Sequence, residues 1–392
     1  MRTALTVTPP TAPTVAAASE LRSLELLSGD AQNFVEKIWA SHVHVHEANP
    51  VDIVGLLSFD DVDHLLTSTA IRTPAVRIAR DGSVLPASAY TRHATLAGQP
   101  LTGLLDPGKV FALFDEGATV VLQGLHRYWQ PLGALVGELE LALGHPCQAN
   151  AYLTPPGSQG FAVHSDSHDV FVFQTHGRKV WEVHEQGQQQ TVVLEPGVSM
   201  YLPTGTPHAA RAQETVSLHV TVGINQVVWK DVLDRALAGV LDGSGPQHVP
   251  AGYLDDPALL ADGLAERLET LATSLRGLDP AAVADAEVRR FLTSRTLWQR
   301  GGLQDRIAAR DLTDTTPLRR RAGHPCVLRP EGQKVRVLLG DRELLMPAWL
   351  EPALVAVRGA GSLRPADLDL DEQSRLVLCR RLVREGLLEV VR

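Results

Sequence analysis

The spacing of hydrophobic residues divides the chain into regions with different predicted structure. Between residues 30 and 144, short helices with Asp30 and Ser58 as N-caps alternate with short strands, and a leucine-rich helix ends at Gly144. From residue 147 to about 228, β-branched and aromatic runs alternate with Gly/Pro turns. Regular short strands of this kind are typical of a sandwich or a barrel.

Helical spacing returns at residue 229. The stretches 229–243, 256–278 and 279–301 carry leucine or alanine stripes every three or four residues, so they predict the helices of a bundle or a dimer face. From residue 311 the pattern predicts three short strands, a helix, a short segment, a second helix and a terminal strand. This order is typical of a winged helix.

Composition and charge narrow the functional classes. A chain of 392 residues is long enough for two or three domains, and a net charge of −9 disfavours general binding to nucleic acids or membrane surfaces. The three cysteines are widely spaced, so neither a disulfide framework nor a zinc ribbon is predicted, and a reducing cytoplasm fits. We expect no signal peptide and no transmembrane helix, because no sufficiently long apolar run occurs.

Metal-ligand residue types are concentrated in the stretch HSDSHDVFVFQTHGRKVW, residues 164–181. His164 and Asp166 are two residues apart, so on a strand they would share one face, and His208 follows a Gly/Pro turn on a later strand. Two histidines and one carboxylate form the facial triad of non-haem Fe(II) oxygenases. His168 shares the predicted face and is a rival ligand, but we favour His208 because a second strand should supply the third ligand.

One lysine suggests a second component of this site. Lys179 is the lone lysine in a β-rich run, and a buried lysine is costly unless an anion pairs with it. The distal carboxylate of 2-oxoglutarate is such an anion, whereas the alternative is a surface lysine at a strand end. Asn150 and Tyr152 are two residues apart and could face the same cavity, where each can hydrogen-bond an acid.

Three further histidines in HVHVH, residues 42–46, also form a possible metal stripe. No carboxylate lies at a matching spacing, so we favour a solvated strand edge. His219 shares a predicted face with Ser217 and Thr221, where it would lie either near the cavity or in the core.

The ordered motifs resemble one known family. They are N-x-Y-x-T-P-x-x-S-Q-G at 150–160, H-x-D at 164–166, G-x-K-x-W at 177–181, a Pro/Gly turn before His208, and S-x-H-x-T at 217–221. This series resembles the JmjC-type ribosomal oxygenases, a branch of the Fe(II)- and 2-oxoglutarate-dependent hydroxylases of the cupin superfamily. The later helices and strands are similar to that family's domain order.

The resemblance implies a fold class and domain boundaries. The fold would be α+β, with a double-stranded β-helix (a cupin/JmjC jelly roll), a helical dimerisation region and a C-terminal winged helix. The expected boundaries are a flexible N-terminal tail at 1–28, the catalytic domain at 29–228, the dimerisation domain at 229–310 and the winged helix at 311–392. The near-neutral last domain favours contact with protein, or a structural role, over contact with DNA.

The resemblance also implies roles for particular residues. His164, Asp166 and His208 would bind Fe(II), and Lys179 would bind 2-oxoglutarate. The same pocket would be lined by Asn150, Tyr152 and Thr221. With O₂ as co-substrate, oxidative decarboxylation of 2-oxoglutarate would yield succinate and CO₂ and hydroxylate the substrate.

The expected substrate is a His or Arg side chain of a protein, with a ribosomal protein as the first candidate. A lysine at 179, rather than an arginine elsewhere, is more similar to the histidine-hydroxylating branch. Ser165 and the stretch 167–169 depart from the family pattern near the substrate opening. Two alternatives therefore stay open: a hydroxylase of a peptide or small metabolite, and a non-catalytic cupin and winged-helix regulator that senses a ligand. We expect a cytoplasmic homodimer.

Overall fold

The computed structural model describes residues 21–80, 82–158, 163–211, 214–242, 245 and 247–392. The helices in this part of the chain are α1 (Arg22–Ser28), α2 (Ala31–Asn33), α3 (Pro50–Val54), α4 (Phe59–Ser68), α5 (Pro107–Asp115), α6 (Gln130–Leu143), α7 (Trp229–Asp242), α8 (Pro257–Arg276), α9 (Pro280–Phe291), α10 (Gly302–Ala308), α11 (Glu351–Gly359) and α12 (Glu372–Arg384).

The strands alternate with these helices in the first and last parts of the chain. They are β1 (His44–Glu47), β2 (Val76–Arg80), β3 (Ser83–Val84), β4 (Thr91–Leu96), β5 (Gln99–Leu105), β6 (Thr119–Leu122), β7 (Cys147–Thr154), β8 (Asp169–His176), β9 (Lys179–Glu185), β10 (Gln188–Leu194), β11 (Val198–Leu202), β12 (His208–Arg211), β13 (Ser217–Ile224), β14 (Leu318–Arg320), β15 (Val327–Glu331), β16 (Lys334–Leu338), β17 (Glu343–Pro347), β18 (Ser362–Leu363) and β19 (Leu388–Val390).

Helix α1 corrects the expected N-terminal tail. Leu24 and Leu27 of this helix are almost fully buried, and the Ser23 hydroxyl donates to the Glu138 carboxylate of α6 at 2.6 Å. The expected tail at 1–28 therefore includes at least one packed helix, because its leucines lie on one face and leave water by packing on α6. The predicted N-caps are confirmed, since the side chains of Asp30 and Ser58 accept backbone N–H groups of α2 and α4.

Two antiparallel sheets position the candidate site. The larger has the order β1-β11-β8-β13-β7-β6-β2-β3, and the smaller has the order β10-β9-β12. Their facing side chains form one hydrophobic cluster, which includes Val170 and Val172 of β8 and Trp181 and Val183 of β9. The mixed helix and sheet architecture agrees with the predicted α+β class.

The helices after residue 229 are much less buried than the sheets. No residue of α8 is buried, and Leu264 and Leu268 of that helix are each about half exposed. The third predicted helix ends at Phe291 instead of continuing to 301. The following residues turn back onto the first domain, where Arg295 forms an ion pair with Glu140 at 3.0 Å.

The C-terminal region forms a separate core. Strands β14 to β19 make two small antiparallel sheets, and α11 and α12 pack with them through buried residues such as Leu354 and Leu382. In the segment between α9 and α10, the indole N–H of Trp298 donates to the carbonyl of His126 at 2.7 Å and so connects that segment to the first domain. In the described part of the chain, every helix is too short or too polar to cross a bilayer.

Candidate metal centre and its cavity

The predicted metal ligands converge, but two of them do not lie on a strand. His164 and Asp166 precede β8, whereas the prediction placed them inside one strand. Their position comes from an isolated antiparallel bridge, in which His164 N–H donates to His208 O at 3.1 Å and His208 N–H donates back at 2.8 Å. The bridge brings a loop residue beside the first residue of β12, so tertiary pairing replaces the expected strand geometry.

The donor atoms of the triad suit one cation. One ligand atom from each of His164, Asp166 and His208 lies within 4.8 Å of the others, and His208 Nε2 is 3.7 Å from Asp166 Oδ2. The described residues contain no second group of three or more His, Cys, Asp or Glu residues with ligand atoms this close. Two imidazoles and one carboxylate without thiolate match the donors that non-haem Fe(II) takes.

The protonation state of His208 favours metal binding. Its Nδ1 lies 2.9 Å from the carbonyl of Thr206, so Nδ1 carries the proton and Nε2 keeps its lone pair for a metal. Burial lowers the pKa of His208, which keeps the imidazole neutral near pH 7.

A cavity of about 340 Å³ surrounds the triad and collects the other predicted site residues. Strand β7 contributes Asn150 and Tyr152, β9 contributes Lys179, and β13 contributes Thr221. Side chains two residues apart on β7 share one face, as predicted, because strand side chains alternate. The Asn150 Oδ1 also accepts the Gly124 N–H at 2.9 Å, which fixes its orientation.

Lys179 has the properties expected of an anion-binding group. It is only 5% exposed, and its Nζ donates to Thr154 Oγ1 at 3.2 Å. Burial lowers its pKa to about 8. A buried ammonium that faces a cavity gains most from a carboxylate ligand, because the anion offsets the cost of desolvating the charge.

The structure places two residues whose roles the sequence left undecided. Trp181 and His219 line the cavity, and Trp181 Nε1 and His219 Nδ1 are buried with no hydrogen-bond partner among the described residues. The His219 ring stacks on Tyr152 at 4.9 Å, so this histidine is both packed and next to the cavity. Burial, reinforced by the charge of Lys179, lowers its pKa well below the usual value. The S-x-H-x-T alternation was the available signal for His219.

Other histidines of the sequence motifs have different environments. His168 lines the cavity, but it is not part of the triad, and its ring packs over Gly223. In HVHVH, His44 Nε2 contacts the carbonyl of Ser28 at 2.9 Å, on edge strand β1. Gln159 and Gly160 of the first motif lie outside the described residues.

Comparison with known proteins agrees with this geometry. A family model described as JmjC domain matches residues 137–192 and 186–232. A "Bifunctional lysine-specific demethylase and histidyl-hydroxylase NO66" of Branchiostoma floridae is 35% identical over 200 residues, covering 47% of this chain and 33% of the relative. "Ribosomal oxygenase 1" of Homo sapiens is 27% identical over 302 residues, covering 66% of this chain and 45% of the relative. The chain thus spans a third to about half the length of these curated relatives.

Solved structures support the fold across most of the chain. The ribosomal oxygenase YcfD of Escherichia coli, in complex with cobalt and succinic acid, matches with a TM-score of 0.53 at 17% identity and covers 91% of this chain and 97% of its own. The same protein with cobalt and 2-oxoglutarate gives a TM-score of 0.52 at 19% identity, with the same coverage. At these identities the match establishes the shared fold.

Proposed function

We propose that this chain, which carries a JmjC domain and is a homologue of the ribosomal oxygenases, is an Fe(II)- and 2-oxoglutarate-dependent oxygenase. It hydroxylates a His or Arg side chain in a protein, with a ribosomal protein as the first candidate. One observation carries the proposal: the triad of His164, Asp166 and His208 opens into the same cavity as the buried ammonium of Lys179. A metal site and an anion site in one cavity are what a metal-chelating keto acid with a distal carboxylate requires.

Each part of the cavity has a role in this proposal. His164, Asp166 and His208 hold Fe(II), which together with 2-oxoglutarate and O₂ supplies the chemistry that inserts one oxygen atom into a C–H bond and yields succinate and CO₂. Lys179 pairs with the distal carboxylate of 2-oxoglutarate. Around them, Asn150, Tyr152 and Thr221 orient the bound acid and exclude water.

Succinate formation tests the proposal directly. Purified protein with Fe(II), ascorbate, O₂ and 2-oxoglutarate should release succinate slowly without substrate, and His164→Ala and Lys179→Ala should abolish this release. His93→Ala and Lys230→Ala change exposed residues outside the cavity and should leave it intact. Absence of both succinate formation and calorimetric binding of 2-oxoglutarate in the wild type would contradict the proposal and favour the ligand-sensing regulator.

The substrate class needs a separate measurement. Incubation with ribosomal proteins should add one oxygen atom to a single tryptic peptide, read by mass spectrometry. The alternative, a hydroxylase of a peptide or small metabolite, is supported by the departures at Ser165 and 167–169 near the opening. That alternative predicts a mass shift on small compounds and an unmodified ribosome.

We propose that α7 to α9 form a homodimer interface within a region of about residues 229–310. The support is the exposure of Leu233, Leu264 and Leu268, because large apolar faces on soluble proteins mark contact surfaces. Light scattering should give twice the chain mass, and a double Leu264→Glu, Leu268→Glu variant should give the monomer mass. A wild-type monomer at micromolar concentration would contradict this interface.

We propose that residues 311–392, the last part of the chain, form a winged helix that contacts protein rather than DNA. Its α11, α12 and terminal strand β19 follow the predicted order. We also propose a cytoplasmic location, which the widely spaced cysteines and the proposed ribosomal substrate support. The full chain should not bind nonspecific DNA at low salt. DNA binding that is lost when the arginines of α12 are replaced would contradict a role in contacting protein.

A further inference from the structure

The C-terminal region has a sheet edge that faces a groove. In the order β15-β16-β17, strand β17 pairs with β16 on one side and with no other strand that the structure describes. In an antiparallel pair only every second residue exchanges hydrogen bonds with the partner strand. Leu339 N–H donates to Arg342 O at 2.9 Å in the turn, so the next bonded pair along the ladder is Val337 with Leu344. The N–H and C=O of Leu345 therefore point away from β16.

A groove of about 560 Å³ runs along this edge. All five residues of β17 line it, although their side chains alternate between two faces, so the groove follows the edge of the strand and not one face of the sheet. Five extended residues span about 17 Å, which sets the length of peptide that β17 can pair with. The opposite wall is one face of α12, which includes Ser374, Val377, Leu378 and Arg381.

The groove has an apolar floor and an apolar rim. Leu344 and Met346 belong to the C-terminal core and form the floor. Leu345, Trp349 and Val377 line the same groove and are each about half exposed. Large apolar side chains that gather at one groove of a soluble protein mark a contact surface. An extended peptide would cover them and also pair with the backbone of Leu345.

The two ends of the groove carry opposite charges. Arg381 lies at the end where β17 begins, since Glu385 pairs with both Arg381 and Arg342, at 2.7 and 3.1 Å. More than half of the Arg381 side chain is exposed. At the other end, α12 begins beside the exposed acidic residues Asp371 and Glu372. A peptide in the groove therefore fits best with an acidic residue at the first end and a basic residue at the second.

Glu343 does not cancel the charge of Arg381. It lines the groove at the same end, but its carboxylate is already paired with two arginines, Arg289 and Arg336. Arg381 has only Glu385, which it shares with Arg342. Antiparallel strand pairs outnumber parallel ones, and a peptide antiparallel to β17 has its basic residue first and its acidic residue last.

The walls of the groove decide between a peptide and a second copy of this chain. A strand added to β17 would have α12 along its outer edge. A single peptide segment has nothing on that edge, whereas β17 of a second copy carries its own β16 there, which would overlap with α12. The groove therefore fits one extended segment and not the edge of another sheet.

We propose that the groove between β17 and α12 binds an extended segment of a protein partner as an added antiparallel strand. The segment has a basic residue at its start, β-branched residues in its middle and an acidic residue at its end. This inference rests on the proposed contact of residues 311–392 with protein, and it gives that contact a site and a mode.

The probe is the capped peptide acetyl-Lys-Thr-Val-Thr-Val-Thr-Glu-amide, titrated into the full chain by calorimetry at low salt. With its central Thr opposite Leu345, the two Val side chains lie on the face of Leu344 and Met346, and the Glu lies opposite Arg342. The wild type should bind this peptide with a Kd below about 1 mM.

Two altered peptides separate backbone pairing from charge. N-methylation of the central Thr removes one backbone donor without changing a side chain, and it should weaken binding by about tenfold or more. Exchange of the Lys and the Glu places like charges together at both ends of the groove. That exchange should weaken binding about fivefold at low salt and less at high salt.

Two protein variants locate the binding in the groove. Leu345→Pro removes an N–H that faces away from β16, a position where a sheet edge tolerates proline, and it should weaken binding about fivefold or more. Val377→Lys changes the opposite wall and should have an effect of similar size. Val355→Lys, at a partly exposed valine of α11 outside the groove, is the matched control and should stay within about twofold of the wild type. If Leu345→Pro does not fold, Val377→Lys and the N-methylated peptide decide.

The outcomes separate this inference from the proposals beneath it. No binding by the wild type, equal affinity for the N-methylated or the charge-exchanged peptide, or unchanged affinity in Val377→Lys would each overturn it. So would a doubled chain mass that Leu345→Pro abolishes, which assigns the edge to a second copy, or binding seen only after removal of residues 1–20, which assigns the groove to this chain. DNA binding through α12 would overturn the protein contact itself, and succinate formation tests the oxygenase separately.

Discussion

The Asp169 carboxylate accepts hydrogen bonds from both the backbone N–H and the hydroxyl of Thr204, each at 2.7 Å. Asp169 begins β8, three residues after Asp166, and Thr204 lies in the turn that precedes His208. The N–H of Gly205 in that turn donates to Asp166 O at 3.0 Å. One buried carboxylate therefore ties together the two chain segments that carry the metal ligands.

Asp169→Asn should weaken metal binding by about 10- to 100-fold, because an amide presents N–H to donors and frees the turn. Tyr201 also donates to Asp169 Oδ2 and Gln226 to Asp169 Oδ1, so whichever oxygen the amide nitrogen replaces, at least one side chain loses its acceptor. Titration with Mn(II) or Zn(II) measures the affinity, and Asp285→Asn, at an exposed ion pair with Arg329, is the control. Metal affinity equal to that of the wild type would show that the turn does not depend on this carboxylate.

Lys179→Met should maintain or raise the stability of the ligand-free protein but remove its binding of 2-oxoglutarate. Without a ligand, the buried ammonium is destabilising, so the variant should unfold at the same temperature as the wild type or a higher one at pH 7. It should lose the thermal stabilisation that 2-oxoglutarate gives the wild type. A variant that still gains stability from 2-oxoglutarate would place the distal carboxylate elsewhere.

The protonation of Lys179 predicts a pH dependence. Its pKa in the folded protein is about 8, below the ordinary value of 10.5. Between these values the unfolded chain holds a proton that the folded chain lacks, so the free energy of unfolding of the ligand-free protein should rise with pH across this window.

Affinity for 2-oxoglutarate should change in the opposite direction, falling above pH 8 by up to about tenfold per pH unit as the ammonium loses its proton. Calorimetry from pH 7 to pH 10 measures this. Lys179→Arg, which stays charged, should bind without that decline. A wild-type affinity that is constant to pH 10 would contradict an ion pair at Lys179.

Gly177→Ala should disrupt the turn that leads into β9. Gly177 has a φ of +64°, and a Cβ there would lie 1.9 Å from the carbonyl oxygen of Val216. The backbone must shift, so we expect a loss of about 3 kcal/mol or more in the free energy of unfolding, together with weaker 2-oxoglutarate binding at Lys179. Gly187→Ala is the matched control, with a φ of +79° and open space, and should cost about 1 kcal/mol. Equal losses would remove the steric explanation.

Arg295→Met should weaken the connection between the helical region and the first domain. The Arg295 and Glu140 side chains are 3% and 13% exposed, so the variant leaves Glu140 buried without its cation, at a cost of about 3–5 kcal/mol. Arg289→Met removes an exposed pair with Glu343 and should cost less than about 1 kcal/mol. Chemical denaturation measures both, and similar values would show that the buried pair is not a main connection.

Local pattern was sufficient where a structural element depends on its own residues. The N-caps at Asp30 and Ser58 and the end of α6 at Gly144 follow from side-chain and backbone preferences within a few residues, and all three are confirmed. The alternation in β7 likewise placed Asn150 and Tyr152 on one face.

The hydrophobic pattern predicted the wrong element where contacts with distant residues determine the local structure. Helical spacing predicted a helix through 279–301, but the helix ends at Phe291 because Arg295 and Trp298 bind groups on the first domain. The strand expected around His164 and Asp166 is absent for a similar reason, since the chain there pairs with His208 instead of continuing β8.

The sequence by itself determined which side chains could carry the proposed chemistry, because the ligand types and their order along the chain are local properties. It identified the triad and Lys179 without coordinates. Only the tertiary structure decided what surrounds them. Asp169 and His219 contact neighbours brought together by strand register, and register depends on the packing of two sheets rather than on any one stretch of residues.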